Sequence, residues 1–195
     1  VERKLSSLRQ VVLGGEPLNT SKLNHIAITS NNINVTNSYG PTEATAIATC
    51  YHLAPDDITL EKRVPIGTPI NNVDVYILDQ NLQILPVGIV GDIFISGIGV
   101  GEGYLNNPEL TRKVFVPDPF CPGNTMYKTG DLGKFRKDGN IDYIGRTDHQ
   151  VKIRGFRVEL GEIENIIRSI DHISNAVVMT RNAGKQASSL IAYII

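Results

Sequence analysis

The fold of this chain is decided by nine consecutive residues, Asn37-Ser38-Tyr39-Gly40-Pro41-Thr42-Glu43-Ala44-Thr45. Before them, Ile33–Thr36 alternates like a short strand, and Gly40-Pro41 must end it because proline lacks the N–H that a sheet needs. Thr42 and Glu43 then lie at the predicted start of a helix, where backbone N–H groups, a hydroxyl and a carboxylate meet. This combination suits a phosphate and a magnesium ion. An ordinary strand-to-helix connection, with Thr42 as its cap, also explains the same residues.

Composition sets the broad class of the chain. Its 195 residues, 41% of them hydrophobic, are enough for one ordinary domain or two small ones with a packed core. Lysine and arginine (19) nearly balance aspartate and glutamate (20), so the charge gives no reason to expect a nucleic acid or a membrane surface as partner. Asp92 interrupts the longest apolar region, which is too short to span a membrane.

The two cysteines, Cys50 and Cys121, belong to no CxxC motif and no Cys/His cluster. We therefore expect reduced thiols and a cytoplasmic protein rather than a zinc site or a disulfide framework. The chain begins at Val1 and stops at Ile195 within a strand-like apolar pattern, and we expect it to be cut from a larger protein.

Several elements are predicted in the first half of the chain. Val11–Leu13 is typical of a buried strand that opens at Gly14-Gly15, where backbone can approach a ligand closely or simply make a tight turn. Apolar residues at near-helical spacing predict a packing helix over Leu18–Ser30, and Ile47–Leu53 predicts another strand.

The middle of the chain has the pattern of a small β subdomain. Val73–Asp79 and Gly91–Ser96 alternate like strands and are separated by turns, which favours a barrel-like arrangement. The glycines of Gly97–Tyr104 do not have the GxGxxG spacing and lack the βαβ context of a dinucleotide site, so their role is predicted to be mostly structural. Pro108 marks the start of a short helix.

Asp131 follows a glycine in Tyr127–Leu132, at the predicted mouth of a strand. Its carboxylate could accept two hydrogen bonds from vicinal hydroxyls, as a ribose would offer, or it could be a plain turn aspartate. Lys137–Asn140 predicts the turn of a hairpin that follows.

The last third combines basic residues with a helix and two strands. Arg146 is a fork suited to phosphate or ribose oxygens, and Lys152 adds a second charge, although an exposed alternating strand face also explains both. The apolar spacing over Leu160–Ile170 predicts an amphipathic helix. Ile173–Thr180 and Ser188–Ile195 are typical of two strands that it could cover, which is the beginning of a small α+β domain.

Five segments of the chain occur in the order found in one enzyme family. They are Gly14–Glu16, Asn37–Thr45, Gly97–Thr111, Tyr127–Leu132 and Gly145–Glu164. Together they resemble the adenylate-forming enzymes, particularly the amino-acid adenylation domains of nonribosomal peptide synthetases.

The resemblance implies a mixed α/β fold in two parts. Residues 1–147 would be the C-terminal portion of a large core, with a sheet and helix layer over 1–70 and a β-barrel-like subdomain over 71–147. Residues 148–195 would be a hinge at Asp148 and an incomplete C-terminal lid.

The resemblance also implies an activity. Enzymes of this kind use ATP and Mg²⁺ to convert an amino acid into an aminoacyl-adenylate, releasing pyrophosphate. They then pass the acyl group to the phosphopantetheine thiol of a carrier (thiolation) domain, beside a condensation domain of the same synthetase. The catalytic residues would be Thr42, Glu43 and Arg146, with Glu43 as the metal ligand.

Binding roles follow from the same resemblance. Gly15, Asn37 and Tyr39 would hold adenine, Thr42 the phosphates, and Asp131 the ribose hydroxyls with Tyr143 and Arg146 beside it. The amino-acid side chain would meet Val12, Gly14, Ser38, Ala46 and Ile47.

Two functional parts of the family are expected outside these residues. The phosphate loop with its lysine would precede Val1, and the lysine that bridges ATP and carboxylate would follow Ile195, so we expect the 195 residues alone to be weakly active or inactive. Two alternatives stay open: an acyl-CoA or aryl-acid ligase of the same superfamily, and a noncatalytic module that docks carrier or partner domains.

Overall fold

A computed structural model of the protein describes residues 8–18, 23, 33–54, 57, 64–147, 150–153, 156–181 and 189–195. The chain divides into two compact units, Val1–Gly145 and Arg146–Ile195. The predicted helix over Leu18–Ser30 lies outside the described residues except at Leu18 and Leu23, and the predicted hinge residue Asp148 lies outside them as well.

The first unit contains a four-stranded sheet in the order β1-β2-β3-β4. Its strands are β1 (Gln10–Gly14), β2 (Asn34–Tyr39), β3 (Thr49–His52) and β4 (Thr68–Pro69). β2 runs parallel to β1 and antiparallel to β3. All of β2 after its first residue is buried, which is typical of a strand in the interior of a sheet.

The segment between β2 and β3 corrects the prediction of a helix starting at Thr42. Thr42–Ala44 forms a single 3-10 turn, preceded by extended Pro41 and without a side-chain cap. Thr45 and Ala46 both have positive φ (58° and 67°), which an α-helix cannot accommodate. The same two residues explain why β3 begins at Thr49 and not at the predicted Ile47.

A second, antiparallel sheet follows in the first unit, with β5-β6-β8-β7 as neighbours and β9 also paired with β8. Its strands are β5 (Val73–Leu78), β6 (Gly91–Gly97), β7 (Phe115–Pro117), β8 (Thr125–Phe135) and β9 (Ile141–Arg146). Residues 71–147, which were predicted to form a barrel-like subdomain, contain this sheet. Helix α1 (Pro108–Val114) lies between β6 and β7 in the chain, and its N-cap Asn107 accepts from Leu110 N.

The two sheets of the first unit share one core. Tyr39 and Ala48 from the first sheet region are buried in the same cluster as Ile77 and Ile95 of the second sheet. Ile141 N donates to Gly67 O at 2.9 Å across the junction between them. Residues of β2 and β8 are thereby held close together, which matters for the site described below.

In its described residues, the second unit has two antiparallel strand pairs and one helix. The elements are β10 (Gln150–Ile153), β11 (Phe156–Glu159), α2 (Leu160–Arg168), β12 (Ala176–Arg181) and β13 (Ser189–Ile194). Helix α2 is fixed to β12 by Glu164, which accepts from Val178 N at 2.8 Å, and by Arg168, which donates to Ala176 O at 3.0 Å. The mixed α/β class predicted from the sequence is confirmed, and no helix in the described parts of the chain has the length and apolar character needed to cross a membrane.

Candidate functional site

Tyr39 and Asp131 meet inside the first unit. The Tyr39 hydroxyl, at the end of β2, donates a hydrogen bond of 2.6 Å to Oδ2 of Asp131 on β8. Both residues are almost fully buried, with 7% and 3% of their surfaces exposed. A hydrogen bond to a buried carboxylate is stronger than one between neutral groups. Two of the predicted site residues are therefore in direct contact.

Asp131 is not at the mouth of a strand as predicted. It lies within β8, after Gly130, whose φ is +75°. The pairing of β6 with β8 shifts its register between Asp92 and Phe94. Glycine accepts this left-handed backbone without strain, so the strand continues through the irregularity instead of ending there.

Thr129 holds the backbone of Asp131 in place. Its hydroxyl donates to Ile93 O at 2.8 Å and accepts from Asp131 N at 3.0 Å. Burial, with the adjoining Asp131 carboxylate as the second cause, raises the pKa of Tyr39 well above its ordinary value. Tyr39 thus stays protonated and remains the donor in this pair. The sequence motif contained Thr129, but its spacing gave it no separate role.

Two further residues surround Tyr39. The ring of Tyr143, on β9, lies 6.2 Å from the Tyr39 ring at an angle of 45°. Asn37, two residues earlier on β2 and hence on the same side of the strand, is 4% exposed. Its side-chain amide donates to Pro65 O at 2.7 Å, so it fixes the edge of the site.

Glu43 is held by a residue that the sequence did not single out. Its Oε1 accepts from the Tyr104 hydroxyl at 2.5 Å, and its backbone carbonyl accepts from Gly101 N at 2.9 Å. Thr42, next to it, has an exposed side chain. The Glu43 carboxylate and the Thr42 hydroxyl are oxygen ligands of the kind that Mg²⁺ prefers.

No group of three or more His, Cys, Asp or Glu side chains able to hold a metal is present among the described residues. Mg²⁺ commonly binds through one or two protein carboxylates together with substrate phosphates. The donor set at Thr42 and Glu43 therefore fits a magnesium ion that arrives with a nucleotide.

The predicted pocket residues fall into two places. Gly14 of β1 lies opposite Ser38 of β2, and a Cβ on Gly14 would come within 2.5 Å of Ser38 Oγ. Ser38 Oγ also donates to Leu13 O at 3.0 Å, which is a second contact between β1 and β2 at this point. Val12, two residues before Gly14 and on the same face, is half exposed. Beyond β1, Gly15 has φ +87° with open space where a side chain would be.

Ala46 and Ile47 lie on the loop between the 3-10 turn and β3. A Cβ on Gly40 would be 2.8 Å from Ala46 O, so this loop packs directly against the end of β2. Ile47 is 36% exposed. The structure thus brings Gly14 to Ser38 of β2, and Ala46 to Gly40, which directly follows β2.

Arg146 is the last residue of β9 and the first residue of the second unit. Lys152 lies in β10 of that unit. Within the first unit, the structure brings candidate site residues into contact in three places. These are Tyr39 with Asp131 and Tyr143, Glu43 with Tyr104, and Gly14 with Ser38.

The chain matches a known family of enzymes. Its residues 1–105 match the family model described as AMP-binding enzyme, and the chain belongs to that family. The resemblance predicted from the sequence is confirmed.

The relatives include synthases named for gramicidin S and bacitracin. The chain is 48% identical over 193 residues to gramicidin S synthase 2 of Aneurinibacillus migulanus, covering 99% of the chain and 4% of that protein. It is 48% identical over 195 residues to bacitracin synthase 3 of Bacillus licheniformis, covering 100% of the chain and 3% of the relative. The chain thus spans only a small part of the curated relatives it matches.

The chain also matches solved structures of proteins that contain adenylation and PCP domains. An artificially fused adenylation-PCP di-domain NRPS from Klebsiella oxytoca matches with a TM-score of 0.83 and 30% identity, over 100% of this chain and 36% of that chain. An NRPS protein containing adenylation and PCP domains, bound to a vinylsulfonamide inhibitor, matches with a TM-score of 0.89 and 30% identity. That match covers 99% of this chain and 34% of the other.

Proposed function

We propose that the protein containing this chain activates an amino acid with MgATP as an aminoacyl-adenylate and transfers the acyl group to a carrier-bound thiol. The observation that carries this proposal is the buried hydrogen bond between Tyr39 and Asp131, at 2.6 Å. It joins the two segments that would bind adenine and ribose. The family match over residues 1–105 and the synthetase relatives support the same activity.

The nucleoside part of ATP would lie between the end of β2 and the irregular part of β8 at Gly130 and Asp131. The Tyr39 ring lies beside the Tyr143 ring and its hydroxyl contacts the Asp131 carboxylate, and the two oxygens of a carboxylate have about four acceptor positions. The ribose hydroxyls would donate to Asp131. Adenine would lie near Gly15, where the backbone leaves open space, with Asn37 at the edge.

The triphosphate would meet Thr42 and Glu43. Their hydroxyl and carboxylate would hold Mg²⁺ between protein and phosphates, with Arg146 as a further positive charge at the nucleotide. Bound there, the ion would neutralise phosphate charge during the reaction. A carboxylate and a hydroxyl on a short, tightly packed turn are well suited to that task.

The chemistry needs positioning and not a general base. The substrate carboxylate, already ionised, attacks the α-phosphorus, so that a carboxyl-oxygen to phosphorus bond forms while the bond to pyrophosphate breaks. In the second step the thiolate of phosphopantetheine attacks the acyl carbon and AMP leaves with its electron pair. The residues of this chain would contribute orientation and charge neutralisation.

The amino-acid side chain would contact Val12, Gly14, Ser38, Ala46 and Ile47. The structure supports this by placing Gly14 against Ser38, with the exposed apolar side chains of Val12 and Ile47 on neighbouring segments. The proposed partners are a carrier (thiolation) domain and a condensation domain of the same synthetase, in the cytoplasm. The adenylation and PCP domains combined in the similar structures support the first of these.

The test is exchange of labelled pyrophosphate into ATP by the full-length protein, with a panel of amino acids, aryl acids and fatty acids. The proposal expects exchange with one or a few amino acids. Exchange only with aryl or fatty acids, followed by thioester formation on free coenzyme A, would identify an acyl-CoA or aryl-acid ligase instead. ATP binding without exchange for any acid would leave a noncatalytic docking module.

A further inference from the structure

The glycine-rich loop Gly97–Tyr104 contacts the Thr42–Thr45 turn at three points. Thr45 Oγ1 donates to Gly99 O at 2.7 Å, Gly101 N donates to the Glu43 carbonyl at 2.9 Å, and Tyr104 donates to the Glu43 carboxylate at 2.5 Å. A Cβ on Gly99 would already lie 3.3 Å from Ala44 O. The glycines therefore let this loop lie against the backbone of the turn.

The ring of Tyr104 is fixed by other aromatic side chains. It meets Phe115 edge-on, with centroids 5.5 Å apart and an interplanar angle of 77°. Phe115 in turn packs on the buried ring of Tyr127, at 5.0 Å. The Tyr104 and Tyr127 hydroxyls are 3.5 Å apart. Because the ring is held on this side, its hydroxyl has a defined direction toward Glu43.

We propose that Tyr104 is a positioning residue that holds the Glu43 carboxylate in the orientation needed to bind Mg²⁺ with ATP. The inference rests on the proposed function, since it concerns the metal role of Glu43. A short hydrogen bond between a phenol and a carboxylate removes much of the rotational freedom of the glutamate side chain. Mg²⁺ demands near-ideal octahedral geometry, so a ligand that is already oriented binds it better than a mobile one.

In this contact the Tyr104 hydroxyl is the donor and the Glu43 carboxylate is the acceptor. The proposed role of Tyr104 is therefore to orient the carboxylate and not to replace it as a metal ligand.

The experiment measures ATP binding by the full-length protein as a function of Mg²⁺ concentration, and again in EDTA. Tyr104→Phe removes the hydroxyl and keeps the ring. We expect it to raise the Mg²⁺ concentration needed for half-maximal ATP binding by about tenfold, while binding in EDTA stays at the wild-type value. The matched control is Tyr76→Phe, because that hydroxyl faces Asp118 at 3.5 Å and not Glu43; it should behave like wild type.

One reference variant, Glu43→Gln, separates the possible outcomes. If Glu43→Gln changes the Mg²⁺ dependence and Tyr104→Phe does not, the positioning role is wrong and the proposed function stands. If neither variant changes it, the metal role of Glu43 itself is wrong. Equal losses with Mg²⁺ and in EDTA for Tyr104→Phe would show a merely structural tyrosine.

If Tyr104→Phe does not fold, Phe115→Leu is the alternative variant for this test. It loosens the Tyr104 ring without removing the hydroxyl. It should shift the Mg²⁺ dependence in the same direction by a smaller factor, and a wild-type Mg²⁺ dependence in a folded Phe115→Leu protein would overturn the proposal.

Discussion

Tyr39 and Asp131, 92 positions apart in the chain, are joined by a hydrogen bond of 2.6 Å in a buried setting. The contact connects β2 of the first sheet with β8 of the second. Asp131 lies within β8, which continues through the irregularity at Gly130, and this contact brings it to the end of β2. Both the stability of the sheet junction and the binding of a nucleotide should therefore depend on this pair.

Replacing Tyr39 with phenylalanine should weaken the junction between the two sheets. The buried Asp131 carboxylate loses the hydrogen bond from Tyr39, and a hydrogen bond to a charged group contributes about 1.5 to 3 kcal/mol. Hydrogen exchange of β2 and β8 amides in the full-length protein would measure this as a lower local opening free energy. Tyr76→Phe is the control, because Asp118 keeps its 2.5 Å bond from Ser96, and an equal loss in both variants would argue against a special role for the Tyr39 pair.

Tyr39 should also make the protein sensitive to alkaline pH. Its pKa is raised in the folded state, whereas a tyrosine in the unfolded chain ionises near pH about 10. The contribution of neutral Tyr39 is therefore fully present below about pH 10 and is lost as the pH rises further. Urea unfolding between about pH 8 and about pH 11 should show a shallower alkaline decline for Tyr39→Phe than for wild type. Parallel curves would contradict the assignment.

Gly67 should tolerate no side chain. A Cβ there would lie 1.9 Å from Cys50 O at φ +89°, and Gly67 O also accepts the hydrogen bond from Ile141 N that links the sheets. Gly67→Ala should destabilise by about 3 kcal/mol or more. Gly139→Ala is the matched control, since Gly139 also has positive φ (+83°) but an added Cβ would meet nothing within 4 Å. This variant should lose about 1 kcal/mol of stability. Similar unfolding midpoints for the two variants would show that the backbone contact at Gly67 is relieved easily.

Val12 should influence which acid is activated and not how ATP binds. It is 50% exposed on the face of β1 that carries Gly14. Val12→Ala should change the ratio of kcat/KM between acids that differ by one methylene by about tenfold or more, with KM for ATP unchanged. Val87→Ala is the control, because Val87 is 57% exposed outside the proposed pocket. An unchanged ratio in Val12→Ala would remove Val12 from the pocket.

Local sequence patterns predicted the strands and hairpins well. The alternation of Val73–Asp79 and Gly91–Ser96, which predicted β5 and β6, the turn before Ile141 and the apolar spacing of α2 each depend on neighbouring residues. The helix predicted at Thr42 was wrong because Thr45 and Ala46 take left-handed backbone angles, which their residue types do not indicate. Packing against Gly99 and Gly101 accompanies that conformation.

The site was predictable only as a set of motifs. The family resemblance carried by Asn37–Thr45 and Tyr127–Leu132 predicted the candidate residues, but the contact between Tyr39 and Asp131 depends on how two sheets pack. Tyr104 was not predicted as a site residue at all. Its partner Glu43 is 61 positions away, and no local pattern of charge or polarity marks a tyrosine as a donor to a distant carboxylate.

Titration calorimetry with ATP and 2′,3′-dideoxy-ATP, on full-length wild type, Asp131→Asn and Asp118→Asn, tests the nucleotide site most directly. Asp118 is a matched buried aspartate that accepts from Ser96. If Asp131 receives the ribose hydroxyls, wild type and Asp118→Asn should bind the dideoxy nucleotide about tenfold or more weaker than ATP. Asp131→Asn should distinguish the two nucleotides far less. The same ratio of affinities in all three proteins would contradict the proposed nucleotide site.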